Sequence, residues 1–331
     1  MSSRQTKPRV FVTRVLPKEA MDRINVSCDA KVWREELPPP REVLLENIRD
    51  IEGLLCLLTD KIDAELLGRA SRLRVVSNYA VGYDNIDVAA ATQRGIVIGN
   101  TPGVLTETVA DFTIALMTTA ARRIVEGDKQ VRTGRWKTWD PMTLLGQDIH
   151  KATLGIIGLG RIGIAVARRA KGFGMKVLYY DVTRRNEIET TQGIEYAEFN
   201  RILTESDFIS LHANLTPETY HFMAKEQLGK MKRTCVLVNT ARGQLVDNMA
   251  LYEALRNNKI AFAALDVTDP EPLPMNHPLL TLDNVIVTPH IASASVSTRT
   301  KMALMAVDNL IAGLNGEMPP NPVNPEALRK A

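Results

Sequence analysis

Cysteine is scarce in this 331-residue chain: there are three, Cys28, Cys56 and Cys235, widely spaced and odd in number. Two fall inside apolar runs, so reduced core thiols are expected rather than a disulfide framework. Aromatic residues reach only 5%. No apolar run approaches the ~18 residues that a bilayer span requires. The longest apolar region, "VADFTIALMTTAA", includes Asp111 and reads as a buried helix. The start, "MSSRQTKPRVFVTR", has no stretch of signal-peptide type, and the final "LRKA" is not a peroxisomal address. An excess of one charge is missing too. The formal net charge is +3, and the pairs Arg122–Arg123, Arg168–Arg169 and Arg184–Arg185 are scattered rather than gathered in a stripe. That pattern argues against nucleic-acid and membrane partners. A cytoplasmic globular protein, long enough for two domains, is the expectation.

What the sequence does have is short runs rich in Val and Ile, alternating with helical patterns, the signature of parallel sheet built from βαβ units. The first hundred residues supply four such runs, at 9–14, 53–58, 73–80 and 95–100. One helical stretch is expected from about Thr106 to Val131. Six more runs follow, at 152–158, 176–181, 208–213, 234–240, 262–267 and 284–290, the number of a complete dinucleotide-binding sheet. A last helical pattern covers about Ser295 to Leu314, after which Pro319, Pro320, Pro322 and Pro325 forbid further helix. One helix is too little for a third domain. The tail is therefore expected to return to the first domain, leaving the six-strand unit inserted.

The run at 152–158 leads into Gly158-Leu159-Gly160-Arg161-Ile162-Gly163, and a helical pattern follows it. G-x-G-x-x-G is weak evidence alone, but here it has its strand–turn–helix context. The three glycines serve the tight turn, the approach of backbone to a pyrophosphate, and helix–strand packing. The helix N-terminus offers unpaired N–H donors to phosphate, and Arg161 could add a charge. Asp181 ends the next strand eighteen residues after Gly163, near the separation expected of an acid that binds the adenosine ribose. A carboxylate there favours NAD(H) over NADP(H). Arg184 and Arg185 leave NADP(H) open, since either could turn inward to a 2′-phosphate.

Ligands of an open parallel sheet bind beyond the carboxyl ends of its strands. Gly158, Asp181, Ala213, Arg242, Asp266 and His290 fall there, with Glu271 in the loop after Asp266. Arg242 closes "VLVNTAR", where a fork of five fixed donors suits a carboxylate. An imidazole can give or take a proton near neutral pH, which suits His290 to proton transfer. Glu271 or Asp269 could orient that imidazole on chemistry alone. His150, His212, His221 and His277 lack the paired spacing of a zinc site, and no metal is expected.

"NYAVGYDNID", "GIIGLGRIG", "NTARGQLVD", "LDVTDPEPLP" and "VIVTPHIASAS" occur in order, with 29 residues from Arg242 to Glu271 and 19 from Glu271 to His290. Over nearly its whole length the chain resembles the D-2-hydroxyacid dehydrogenases, and among them the glyoxylate/hydroxypyruvate reductases. The resemblance implies an α/β fold of two Rossmann-like, doubly wound parallel-sheet domains. A dinucleotide-binding domain (104–291, with a dimerisation helix) would be inserted in a flavodoxin-like substrate domain (1–103 and 292–331).

The same resemblance implies reduction of a small 2-oxo acid by NAD(P)H. Arg242 would clamp the carboxylate and carbonyl, His290 would donate the proton, and Glu271, rather than Asp269, would orient His290. Backbone N–H groups of Val81 and Gly82 would bind the substrate carboxylate, and Asp266 the nicotinamide carboxamide. Thr108, Thr216, Thr240 and Ala241 would touch the cofactor. Asn214 stands where many relatives carry Pro. Trp139 would restrict the substrate pocket of the other subunit in a homodimer. The alternatives are another D-2-hydroxyacid dehydrogenase (D-lactate, phosphoglycerate, phosphite or formate type) and an NAD(H)-sensing corepressor of the same fold.

Overall fold

Every strand pair in the structure, a computed structural model that describes residues 6–329, is parallel. The chain divides into two compact units, one holding everything up to Leu105 and again from Ser295, the other Thr106–Ala294. The divisions expected from the sequence, at 103/104 and 291/292, lie a few residues earlier.

The first unit is a five-stranded sheet of β1 (Arg9–Val12), β2 (Asp29–Val32), β3 (Gly53–Cys56), β4 (Val75–Asn78) and β5 (Val97–Gly99), in the order β2-β1-β3-β4-β5. That is the flavodoxin-like order. Only four of these strands are expected from the sequence. β2, "DAKV", alternates exposed and half-buried positions at the sheet edge, so it lacks the apolar run that marks its neighbours. Helix Val296–Leu314, capped by the Ser295 hydroxyl, covers one face of β3 and β4. Ser77 on β4 donates to the Ala306 carbonyl of that helix at 2.6 Å.

The segment after the helix is stapled by buried asparagines. Asn309 donates to Asn100 O and accepts from Asn321 N. Asn324 accepts from Ile98 N at 2.7 Å and donates to Ile96 O and the Thr92 hydroxyl.

The second unit has seven strands: β6 (Thr153–Ile157), β7 (Lys176–Tyr180), β8 (Glu195–Tyr196), β9 (Phe208–Leu211), β10 (Val236–Asn239), β11 (Phe262–Leu265) and β12 (Val285–Val287). Their order is β12-β11-β10-β9-β6-β7-β8. The sequence predicts six. β8 is two residues long at the edge, too short to leave a pattern. Alternate side chains feed opposite cores: Leu154, Ile156, Val177, Tyr179, Phe208, Val236 and Val238 on one face, Leu178, Ile209, Leu237, Ala263 and Leu265 on the other. Helices on both faces make the sheet doubly wound.

The single helix expected at 106–131 is two, Thr106–Ala121 and Ile124–Arg132. The chain turns at Arg123, in the left-handed region at φ 52°, where its guanidinium pairs with Glu126. Gln147 N donates to the Ala121 carbonyl at 2.9 Å and closes the first helix. No helix among the described residues is long and apolar enough to cross a membrane.

Asn324 leaves one buried backbone donor and two acceptors when truncated. Asn324→Ala should destabilise the first unit by about 3 kcal/mol, read as a lower midpoint in urea denaturation; an unchanged midpoint would mean that the staple contributes nothing.

Candidate active site

Parallel strands put all their carboxyl ends on one edge, and the second unit carries its chemistry there. After β6 the chain turns at Gly158 (φ +93°), where an added Cβ would lie 2.6 Å from the backbone of His212 and Ala213. Helix Arg161–Gly172 then starts at Gly160, with no side chain capping its first N–H groups. A Cβ on Gly163 would lie 2.3 Å from the Gly158 carbonyl oxygen, so close helix–strand packing demands glycine. A Cβ on Gly160 would meet nothing within 4 Å. Intramolecular packing therefore leaves Gly160 unconstrained, whereas a backbone-hugging ligand would constrain it. Asp181, at the end of β7, accepts from Leu159 N at 2.7 Å and Thr183 N at 3.1 Å, which ties the ribose-binding candidate to the glycine turn. These residues fit a dinucleotide.

At the end of β10 the buried Asn239 side chain accepts from Ala241 N at 3.0 Å and donates to Arg242 O at 2.8 Å. That staple fixes the turn carrying Thr240, Ala241 and Arg242. Thr240 shares a 2.9 Å hydroxyl contact with Thr113 of helix Thr106–Ala121, the helix that also bears Thr108. Arg242 is half-buried, and its Nη1 donates to Ala241 O at 2.9 Å.

After β12, His290 stands at φ 54° and its N–H donates to Asp266 O at 2.9 Å. Its Nδ1 lies 2.5 Å from Glu271 Oε1. Asp269 does not take that place: its carboxylate faces His221 at 3.6 Å.

Asp266 is 1% exposed. Its Oδ1 accepts from the Thr288 hydroxyl at 2.6 Å and from Ile291 N at 2.9 Å, and its Oδ2 from Ala292 N at 2.7 Å. The contacts made by this carboxylate hold the segment carrying His290. Neither Asn239 nor Thr288 stands out in the sequence, where a polar residue at a strand end carries no distinctive spacing. Thr216 and Thr219 close a turn on each other, and the Thr219 hydroxyl donates to Asn214 O at 2.7 Å. Burial pushes the His212 imidazole down to about 4, so it is neutral where the Ser210 hydroxyl meets it at 2.9 Å.

In the first unit, Asn100 donates to Val81 O at 2.7 Å and Asn78 to Gly82 O at 2.9 Å. The two carbonyls are thus used by the scaffold. The N–H groups of Val81 and Gly82 make no backbone hydrogen bond among the described residues. Trp139 is 78% exposed.

The profile of the NAD-binding domain of D-isomer specific 2-hydroxyacid dehydrogenases matches residues 114–292. The chain belongs to this family. It is an oxidoreductase with an NAD-binding domain, and its relatives cover it almost end to end. The glyoxylate reductase of Korarchaeum cryptofilum is 55% identical over 324 residues, covering 98% of both chains. That of Thermofilum pendens is 51% identical, covering 98% of this chain and 96% of the relative. Among solved structures, a Thermus thermophilus protein superposes with a TM-score of 0.90 at 48% identity, over 95% of this chain and 99% of its own. The NADPH-dependent glyoxylate/hydroxypyruvate reductase from Sinorhizobium meliloti, in complex with NADP and malonate, gives 0.84 at 33% identity, over 97% and 98%.

The glycine geometry separates packing from binding. Gly163→Ala should lower the melting temperature of the ligand-free protein by several degrees, roughly 1–3 kcal/mol of overpacking. Gly160→Ala should melt as the wild type does and lose NADH affinity in a fluorescence titration. Normal NADH binding by Gly160→Ala would remove the dinucleotide from that turn.

Proposed function

We propose that the chain reduces glyoxylate, and also hydroxypyruvate, to the 2-hydroxy acid, with NADH preferred to NADPH. The contact between His290 Nδ1 and Glu271 Oε1 carries this reading. It supplies an oriented imidazole on the sheet edge that also bears Arg242 and the glycine turn. The relatives named glyoxylate reductase support the substrate, at 55% and 51% identity. The carboxylate of Asp181 supports NADH, because it would repel a 2′-phosphate.

A bound reduced nicotinamide supplies the hydride that adds to C2 of the substrate. Arg242 binds the substrate carboxylate through two parallel N–H bonds and draws charge from the adjacent carbonyl oxygen. Glu271 accepts from His290 Nδ1, which leaves Nε2 as the nitrogen that gives its proton to that oxygen as charge develops there. The N–H groups of Val81 and Gly82, which make no backbone hydrogen bond among the described residues, are the first unit's candidates for binding a carboxylate and support reading it as the substrate domain and the second unit as the dinucleotide domain. Thr108, Thr216, Thr240, Ala241 and Asp266 face the cofactor.

The protein acts as a homodimer. Apolar residues of helix Thr106–Ala121, including Val109, Ile114, Leu116 and Met117, are buried within the subunit. Exposed apolar side chains follow it along the chain instead, at Ile124, Val125, Val131, Trp136, Trp139, Met142 and Leu145. So many exposed apolar residues in one stretch support an interaction surface there. Trp139, exposed in its own subunit, is the side chain that would reach the partner's substrate pocket.

His290→Gln should lower kcat by about 10²–10⁴-fold with NADH affinity kept. Arg242→Ala should lower kcat/KM for glyoxylate by at least about a hundredfold, again with NADH bound. Steady-state kinetics with a panel of 2-oxo acids and both nicotinamides decides the substrate, and full activity in either variant would remove that residue from the reaction. Light scattering at micromolar protein should give twice the subunit mass; a monomer would sink the proposed role of Trp139.

A further inference from the structure

Two arginines follow Asp181, and the structure commits one of them elsewhere. Because Asp181 Oδ1 accepts from Thr183 N, the chain turns tightly and Arg184 begins next to the ribose-binding candidate. An arginine so placed is what accommodates a 2′-phosphate in enzymes that take NADP. Here the Arg184 guanidinium is held by Glu189 in a two-pronged contact, Nε to Oε1 and Nη2 to Oε2, both 2.8 Å. Its Cζ also lies 5.3 Å from the centroid of the Tyr196 ring.

The acceptor is itself fixed. The Tyr179 hydroxyl donates to Glu189 Oε1 at 2.8 Å and accepts from Arg185 N at 2.8 Å. Tyr179 is buried in the sheet core, its ring edge-on to Tyr196 at 5.5 Å. The Arg184 guanidinium, helped by the Tyr179 hydroxyl and opposed by burial, holds the Glu189 carboxyl down at about 2. The clamp is therefore charged at neutral pH.

We infer that Glu189 is a specificity-determining residue that keeps Arg184 from the space a 2′-phosphate would occupy. The inference deepens the NADH preference proposed above and rests on it. Two carboxylates then act against the phosphorylated dinucleotide in different ways. Asp181 repels the phosphate, and Glu189 sequesters the cation that would otherwise attract it. For Arg184 to reach a phosphate, both prongs and the ring contact must be broken first, so the attraction is largely cancelled.

Dissociation constants of NADH and NADPH for the resting protein, read by fluorescence titration, test the clamp. Glu189→Gln keeps an acceptor for the Tyr179 hydroxyl but removes the charge. It should tighten NADPH about tenfold, with NADH altered less than about twofold, and the gain should shrink as salt is raised. Arg184→Gln alone, an exposed substitution, should leave NADPH affinity as in the wild type. The double variant should lose the gain. An unchanged NADPH constant in a folded Glu189→Gln protein would overturn the inference. So would weaker NADPH binding in Arg184→Gln alone, or a gain that persists in the double variant. The wild-type ratio of the two constants judges the NADH preference separately. If the wild type binds NADPH more tightly, that reading fails, whereas the clamp is judged only on variant-to-wild-type ratios.

Discussion

Burying a carboxylate is costly unless it accepts hydrogen bonds, and the site is arranged around one such group. Asp266 ends β11, and the donors it accepts are the Thr288 hydroxyl and the N–H groups of Ile291 and Ala292, on either side of His290. Its own backbone carbonyl takes the His290 N–H. The imidazole thus stands on a segment held by four hydrogen bonds to Asp266, at a left-handed φ that a β-carbon disfavours. Glu271 then has a fixed target for its carboxylate. The backbone beneath the imidazole is held by the Asp266 cluster, and the ring by Glu271.

Parallel topology does the rest. Residues far apart in the chain, from Gly158 to His290, reach one edge because β6, β7, β9, β10, β11 and β12 all run the same way. Each strand end adds a local device: positive φ at Gly158, the Asn239 staple under Arg242, the Asp266 cluster under His290. Strand direction delivers the groups to the edge, and these polar contacts set their angles.

Much of this is legible in the sequence. Buried central strands write themselves as Val/Ile runs, and a glycine fingerprint between strand and helix has few other uses. The strands that escape, β2 and β8, are edge strands, half-exposed or two residues long, where burial imposes no pattern. The break at Arg123 is hidden because "AARRIVEG" has helical composition throughout; a left-handed turn and a side chain pairing with Glu126 end the helix instead of Gly or Pro. Of the acids near His290, composition cannot separate Glu271 from Asp269, because both lie in one loop; the family resemblance points to Glu271, and in the structure Nδ1 faces it. The commitment of Arg184 is equally invisible. A guanidinium five residues from a glutamate reads as an ordinary surface pair until Tyr179 is seen fixing the acceptor.

The cost of this edge also bears on what it is for. A dinucleotide-binding turn needs the glycines, a helix N-terminus and an acid for the ribose; it does not need an imidazole. Yet the second unit places His290 in an unfavourable backbone conformation, ties it to a buried carboxylate and sets a second carboxylate 2.5 Å from its ring nitrogen. The left-handed backbone works against stability unless something recovers it, and a protein that only sensed NAD(H) would recover nothing from an oriented imidazole. Locally unfavourable geometry kept in place by surrounding structure is characteristic of sites under a chemical demand. In the proposed reaction a proton is delivered to one oxygen as a hydride arrives at the neighbouring carbon, and that demand would account for the imidazole, its acid and the staple beneath them together.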